Sequence, residues 1–255
     1  MIRRVVFNQK GGVGKTTIVC NLAAIAASRG LRTLVIDLDT QGNATQYLLG
    51  KTGLKPDRTI ADFFESTLGF SLQQPSFGSF ATGTPIDDLD LVASDPRLDE
   101  LQVKLEAKQK VQKLRQALDR LRGYDCVFID TPPALNFYSR SALIAADRVL
   151  IPFDCDEFSR QALYTLIENI NEIRADHNEG LEIEGIIVNQ FQARARLPAR
   201  LVEDLKTEGH RVLSPELSTS VRVRESHEQR KPLIELDPSH RVTREYVSLY
   251  ESLGV

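Results

Sequence analysis

The sequence predicts an α/β fold: a mainly parallel central sheet with helices on both faces. Three observations carry this. Strand and helix signals alternate along the chain. A glycine-rich loop, Lys10-Gly11-Gly12-Val13-Gly14-Lys15-Thr16-Thr17, joins the first apolar run, Val5-Val6-Phe7, to a helical pattern. Two later apolar runs end in acids, Val35-Ile36-Asp37 and Val127-Phe128-Ile129-Asp130.

Arg4 to Asn8 reads as the first strand. Thr16 to Arg29 reads as a helix, with Leu22, Ala23, Ile25 and Ala26 on its apolar side and Gly30 as its stop. Thr33 to Asp37 is a strand of the buried type. A short helix starts at Thr59-Ile60-Ala61-Asp62, and residues 67–88, rich in Ser, Gly, Gln and Pro, read as an irregular surface excursion. Leu89 to Ala93 is a strand, Pro96 to Arg122 a long charged helix, and Cys126 to Asp130 a strand. Val149 to Phe153 and Ile183 to Asn189 are further strands with helices before and after. Without repeats, low-complexity tracts or a linker, residues 1–255 read as one domain.

The 255 residues suffice for a substantial core, and 42% hydrophobic with 26% charged residues is ordinary for a globule. A net charge of −3 argues against wholesale coating of nucleic acid but allows a local basic patch. No apolar run is long enough to span a bilayer, and Met1-Ile2-Arg3-Arg4 leads directly into a strand, which predicts no secretory leader. Cys20, Cys126 and Cys155 are too widely spaced for a metal or disulfide pattern, so a reducing cytoplasm is expected.

The loop carries the chemistry. Backbone N–H groups of Gly11, Gly12, Val13 and Gly14 can close around phosphate oxygens, and Lys15 adds charge at the outer phosphates. Thr16 offers a hydroxyl to Mg²⁺, and the helix opening at Thr16-Thr17 aims its dipole at the same anion. Lys10 is unusual, because an ordinary loop of this kind needs no charge there; it suggests a phosphate contact beyond the local loop. Ligands of open α/β sheets lie outside the carboxyl ends of the strands, which directs Asp37, Asp39 and Asp130 toward the loop. Asp130 fits the acid that holds Mg²⁺. Asp39 is better placed to orient an attacking water, and Asp37 assists the metal or braces the loop.

Lys10 to Thr17, Asp37-Leu38-Asp39 with Gln41-Gly42-Asn43, and Ile129-Asp130-Thr131-Pro132-Pro133 together resemble the deviant Walker A ATPases of the ParA/MinD group, in the SIMIBI class of P-loop NTPases. The resemblance extends more loosely through Thr59–Asp62, Leu89–Ser94 and Arg222 to Pro232. It implies ATP and Mg²⁺ as cofactors and a sandwich homodimer formed on ATP binding. In that dimer Lys10 would reach the phosphates of the other subunit, as an arginine finger does, and Lys15 would serve its own. Gly12 would stay without a side chain because backbones approach closely there. Asn189 matches the position that reads the base edge, and reads equally as a strand-end turn residue. Two departures stand out: Thr40 replaces the usual Pro after the second acid, and Leu217-Ser218-Thr219-Ser220 replaces an Ile-Pro-Arg-Asn wall of the base pocket. A third is the acidic run Asp154-Cys155-Asp156-Glu157 after the strand ending at Phe153.

ParA-type members bind DNA non-specifically as ATP dimers, whereas MinD-type members bind membranes through a basic C-terminal helix. Here Val242, Tyr246, Leu249, Tyr250 and Leu253 form one helical stripe, and the polar face is not basic, so a helix packed on the core is expected and no membrane contact. Arginines gather in three groups: Arg194, Arg196 and Arg200; Arg222, Arg224 and Arg230 with Lys231; Arg241 and Arg244. Spread over one face they suit phosphate contacts, and the resemblance favours Arg222 among them, with Arg194, Arg196 and Arg224 as further DNA-binding candidates. The expectation is a ParA-like ATPase on the nucleoid that positions a plasmid, chromosome or protein assembly and answers to a ParB-like stimulating partner. The alternatives are positioning or regulation without DNA, and an ATP-dependent metabolic enzyme.

Overall fold

A computed structural model describes residues 1–69, 75–155, 159–192 and 196–254. Its seven-stranded sheet grows from β1 (Ile2–Val6), β2 (Thr33–Asp37), β3 (Thr82–Gly83), β4 (Leu89–Val92), β5 (Cys126–Asp130), β6 (Arg148–Asp154) and β7 (Glu182–Asn189). The order across the sheet is β3-β4-β2-β5-β1-β6-β7. Every pairing is parallel except that of the two-residue edge strand β3 with β4. The sheet is therefore mainly parallel, as the alternation of elements predicts.

Central strands β2 and β5 keep the predicted boundaries and are buried at every position, as continuous apolar runs require when both faces are covered. Side chains alternate between two cores. Val5, Leu34, Ile36, Val127 and Ile129 face one, and Val6, Val35, Phe128 and Leu150 face the other. The first core is closed by α3 (Ile60–Ser66), α4 (Leu98–Ala107), α5 (Lys113–Arg120), α6 (Phe137–Ala145) and α7 (Ser159–His177). The second is closed by α1 (Lys15–Ser28), α2 (Asn43–Leu49) and α11 (Arg241–Ser252). The helices α8 (Arg196–Thr207), α9 (Val221–Gln229) and α10 (Leu233–Leu236) are the remaining α-helices among the described residues.

Four elements differ from the sequence reading. The first strand runs from Ile2 to Val6 rather than Arg4 to Asn8, because Asn8 leaves the ladder and spends its side chain on Pro152 O and the Lys10 N–H. The long helix expected over 96–122 is broken. Gln109 sits at φ 51°, in the left-handed region, so the chain stops α4 and restarts through a 3₁₀ turn, Lys110–Gln112, into α5. The stretch 67–88 is no mere surface excursion where it is described: Phe77 and Phe80 are buried edge-on against Phe63, and Thr82–Gly83 pairs with β4. Finally, α2 follows Gly42 directly, where the sequence reading has no helix.

Away from the carboxyl edge, a charged pair is buried in this sheet. Arg4 of β1 donates from Nε and Nη2 to both oxygens of Glu184 on β7, at 2.7 and 2.9 Å, and Arg148 donates to the same carboxylate at 2.8 Å. Arg4 is wholly buried, and the fork-to-fork pair replaces water at Nε and Nη2, while Nη1 is buried without a hydrogen-bond partner.

Candidate nucleotide site

β1, β2 and β5 lie side by side, and their register sets the site. Val6 pairs with Asp130, and Asp37 pairs with Asp130, so the two acids and the chain leaving β1 emerge together at the carboxyl edge. Asn8 anchors the departing loop by donating to Pro152 O at 2.7 Å and accepting from the Lys10 N–H at 2.9 Å. Gly12 and Gly14 take φ 77° and 92°, which only glycine adopts without strain. Gly14 has a second constraint: a Cβ there would lie 2.2 Å from Asn189 Nδ2.

Asn189, ending β7, donates to Val13 O at 2.9 Å, and Gln190 donates to Gly12 O at 2.9 Å. The loop is thus buttressed from behind by the end of β7. Gln190 takes φ 57°, and the only signal for its role is its place after a strand-end Asn.

The two lysines of the loop behave differently. Lys15 is buried and donates from Nζ to Lys10 O at 3.1 Å, curling over the loop. Burial lowers its pKa, opposed by the carboxylates of Asp130 and Asp39. The Lys10 ammonium points toward Asp154 Oδ2, at 3.7 Å, with its side chain 39% exposed.

Thr16 Oγ1 donates to Asp130 Oδ2 at 2.7 Å, while Asp130 Oδ1 is buried with no hydrogen-bond partner. Burial and the neighbouring Asp37 push the Asp130 pKa well up. Asp37 is also fully buried; its carboxylate accepts from the Asp39 N–H and from both the N–H and hydroxyl of Thr45. Burial raises its pKa to about 6. Two buried carboxyls beside a hydroxyl, one oxygen unpartnered, suit a hard divalent cation. Thr16 and Asp130 would hold Mg²⁺, which would neutralise charge on the phosphates; Asp37 is tied to Thr45 and Asp39, which fits bracing as well as metal support. Thr45, two residues past the Gln41-Gly42-Asn43 motif, escaped the sequence reading.

A cavity of about 510 Å³ opens over the loop, bounded by Lys15, Thr16, Asp39, Gln41, Tyr47 and His227 among others. A second, of about 250 Å³, adjoins it between Gly14, Asn189, Ser218, Thr219 and Arg224. Asp39 is largely buried and faces the first cavity; its Oδ1 accepts from the Gln41 N–H. Gly11, Gly12, Gly14, Lys15, Thr16, Thr17 and Asp39 therefore share one cavity, Asn189 borders the second, and Val13 is buried beneath the loop.

The arginine candidates are less uniform. Arg222 donates to Glu225 at 2.7 Å and to Asp237 at 2.9 Å, so its guanidinium is already engaged by two carboxylates. Arg224, on the same helix α9, is exposed. Arg194 and the side chain of Arg196 lie outside the described residues, as do Asp156 and Glu157 of the acidic run. The stripe Val242, Tyr246, Leu249, Tyr250 and Leu253 is buried against α1, and among the described residues no helix is long and apolar enough to cross a membrane. Cys20 and Cys126 are buried in the second core.

A glycine loop between β1 and α1, with acids ending the two adjacent strands, defines a P-loop nucleotide-binding protein. Comparison with known proteins agrees. A family model described as an AAA domain matches residues 3–183. The chromosome partitioning protein ParA of Myxococcus xanthus is 34% identical over 252 residues, covering 96% of this chain and 85% of that protein. The chain belongs to the ParA/MinD family of P-loop ATPases. Among solved structures, a putative plasmid partition protein from Borrelia burgdorferi bound to AMPPNP superposes with a TM-score of 0.82 at 26% identity, covering 98% of this chain and 97% of that one. Cobyrinic acid a,c-diamide synthase from Mycobacterium smegmatis with bound ADP and magnesium shares the fold, with a TM-score of 0.81 at 23% identity over 99% and 94% of the two chains.

Proposed function

We propose that this ParA-like ATPase is a dimerisation switch: with Mg²⁺ and ATP it forms a homodimer that holds non-specific double-stranded DNA, and hydrolysis releases it. The observation that carries the reading is the divergence of the two loop lysines. Lys15 folds onto its own loop, whereas Lys10 turns away from it toward Asp154, with its side chain 39% exposed. A cation held at the rim serves a neighbouring subunit better than its own nucleotide. In the dimer Lys10 of each subunit contacts the phosphates bound by the other and stabilises charge as they separate. Asp39 orients the attacking water, and the cavity beside Asn189 receives the nucleoside. Relatives named for chromosome and plasmid partition support a cargo-positioning role; the nucleoid as its track and a ParB-like partner that stimulates turnover are part of this proposal.

For DNA, Arg224 is the stronger single candidate on α9. Arg222 would have to leave Glu225 and Asp237 to reach a phosphate. The test is binding to non-specific duplex DNA with ATP, with ADP and without nucleotide, at one stated salt concentration, alongside Lys10→Ala and Arg224→Glu. Binding with ATP alone, lost in both variants while Lys10→Ala still takes up nucleotide, is the expected result. Equal DNA binding in all three nucleotide states, or none, would refute the switch.

A further inference from the structure

His227 stands where the two cavities meet. It belongs to α9, 210 residues from Thr17 along the chain, yet its Nε2 lies 2.9 Å from Thr17 Oγ1. The ring is held in place: Tyr47 of α2 packs against it with centroids 5.1 Å apart, and the Tyr47 hydroxyl donates to the neighbouring Ser226 at 2.9 Å. His227 and Thr17 border both cavities, the one over the phosphate loop and the one beside Asn189. A phosphate joining a nucleoside in the second to outer phosphates in the first would pass this pair.

Desolvation lowers the imidazole pKa from its ordinary value, which favours the neutral ring with one donor and one acceptor nitrogen. Two arrangements follow. If Thr17 donates to Nε2, its proton is used up and only oxygen lone pairs face the anion. If Nε2–H donates to Thr17 Oγ1, the hydroxyl proton is free to turn toward a phosphate oxygen. An anion in the site favours the second, because the first sets lone pair against negative charge.

We propose that His227 is the positioning residue for Thr17: with nucleotide bound, its Nε2–H donates to Thr17 Oγ1 and thereby aims the Thr17 hydroxyl at the phosphate nearest the nucleoside. The inference rests on the nucleotide reading of the loop. That phosphate is common to ATP and ADP, so His227 acts on both alike.

The experiment combines imidazole ¹⁵N NMR of the full chain with nucleotide titrations. The chain has four histidines, and His227→Gln identifies the signal. With Mg²⁺ and either ADP or a non-hydrolysable ATP analogue, His227 should carry a proton on Nε2, as the Nε2–H tautomer or as the imidazolium, since either donates to Thr17. His227→Ala should weaken both nucleotides by the same factor, roughly 10-fold. His227→Gln, which keeps an amide donor, should recover part of that loss, and Thr17→Val should leave His227→Ala with nothing further to lose. Thermal unfolding checks that each variant folds. An Nδ1–H tautomer in the bound state, additive losses in the double variant, or undiminished affinity in His227→Ala would overturn the inference while leaving the nucleotide site standing. A wild-type protein that bound neither nucleotide would overturn both.

Discussion

The buried carboxyl of Asp37 makes the nucleotide-free protein less stable as pH rises. Its pKa in the fold is about 6, against 3.8 for an ordinary aspartate, chiefly through burial. A group raised in this way contributes its stability fully below about pH 4, and that contribution is lost as pH rises through about 6. A difference of about two pH units corresponds to about 3 kcal/mol, complete near pH 7. Asp130, also pushed upward and in part by Asp37, acts in the same direction, so the two titrate as a pair. The perturbation is Asp37→Asn, and the assay is urea unfolding at several pH values between about 4 and 8, without nucleotide or metal. The variant loses a hydrogen-bond acceptor toward Asp39 or Thr45, a cost that does not vary with pH. Comparing variant with wild type also cancels His227, whose lowered pKa gives an opposing slope near its own titration. Wild type should therefore lose up to about 3 kcal/mol relative to the variant across this range. Saturating Mg²⁺ and ATP should flatten the wild-type curve, because a cation beside Asp130 favours the ionised pair. Parallel curves for wild type and variant would refute the account.

Other substitutions test the rest of the site. Gly14→Ala combines φ 92° with a Cβ 2.2 Å from Asn189 Nδ2, so nucleotide binding by calorimetry should fall below detection while the rest of the chain stays folded. Asp39→Ala should bind ATP normally and accumulate as the ATP-bound form, with turnover at least roughly 100-fold slower in a phosphate-release assay; unchanged turnover would assign the water to another group. Arg4→Ala removes the partner of a buried Glu184 and should cost about 3–5 kcal/mol, lowering the melting temperature by roughly 6–20 °C, with Arg148 limiting the loss.

Much of the site is legible along the chain because its parts are local. Lys10 to Thr17 carries its own turn residues, charge and hydroxyls, and Asp37 and Asp130 end strands whose apolar runs mark them as central. The C-terminal stripe from Val242 to Leu253 announces a packed helix by its spacing alone, and all five of its apolar positions are buried. The break at Gln109 is different: a non-glycine residue in the left-handed region leaves no compositional mark, and the helical pattern runs on through it.

Residue types and short-range periodicity determined the fold class, the phosphate loop and the acids facing it, since each depends on neighbours a few residues apart. Tertiary structure alone decided which distant groups converge. It set Asp37 beside Asp130 through strand register, brought Asn189 and Gln190 beneath the loop, drew Arg222 into the carboxylates of Glu225 and Asp237, and carried His227 to Thr17. These meetings depend on strand order and on how helices pack across a sheet, and contacts between residues far apart in the chain leave no period in the sequence by which to read them.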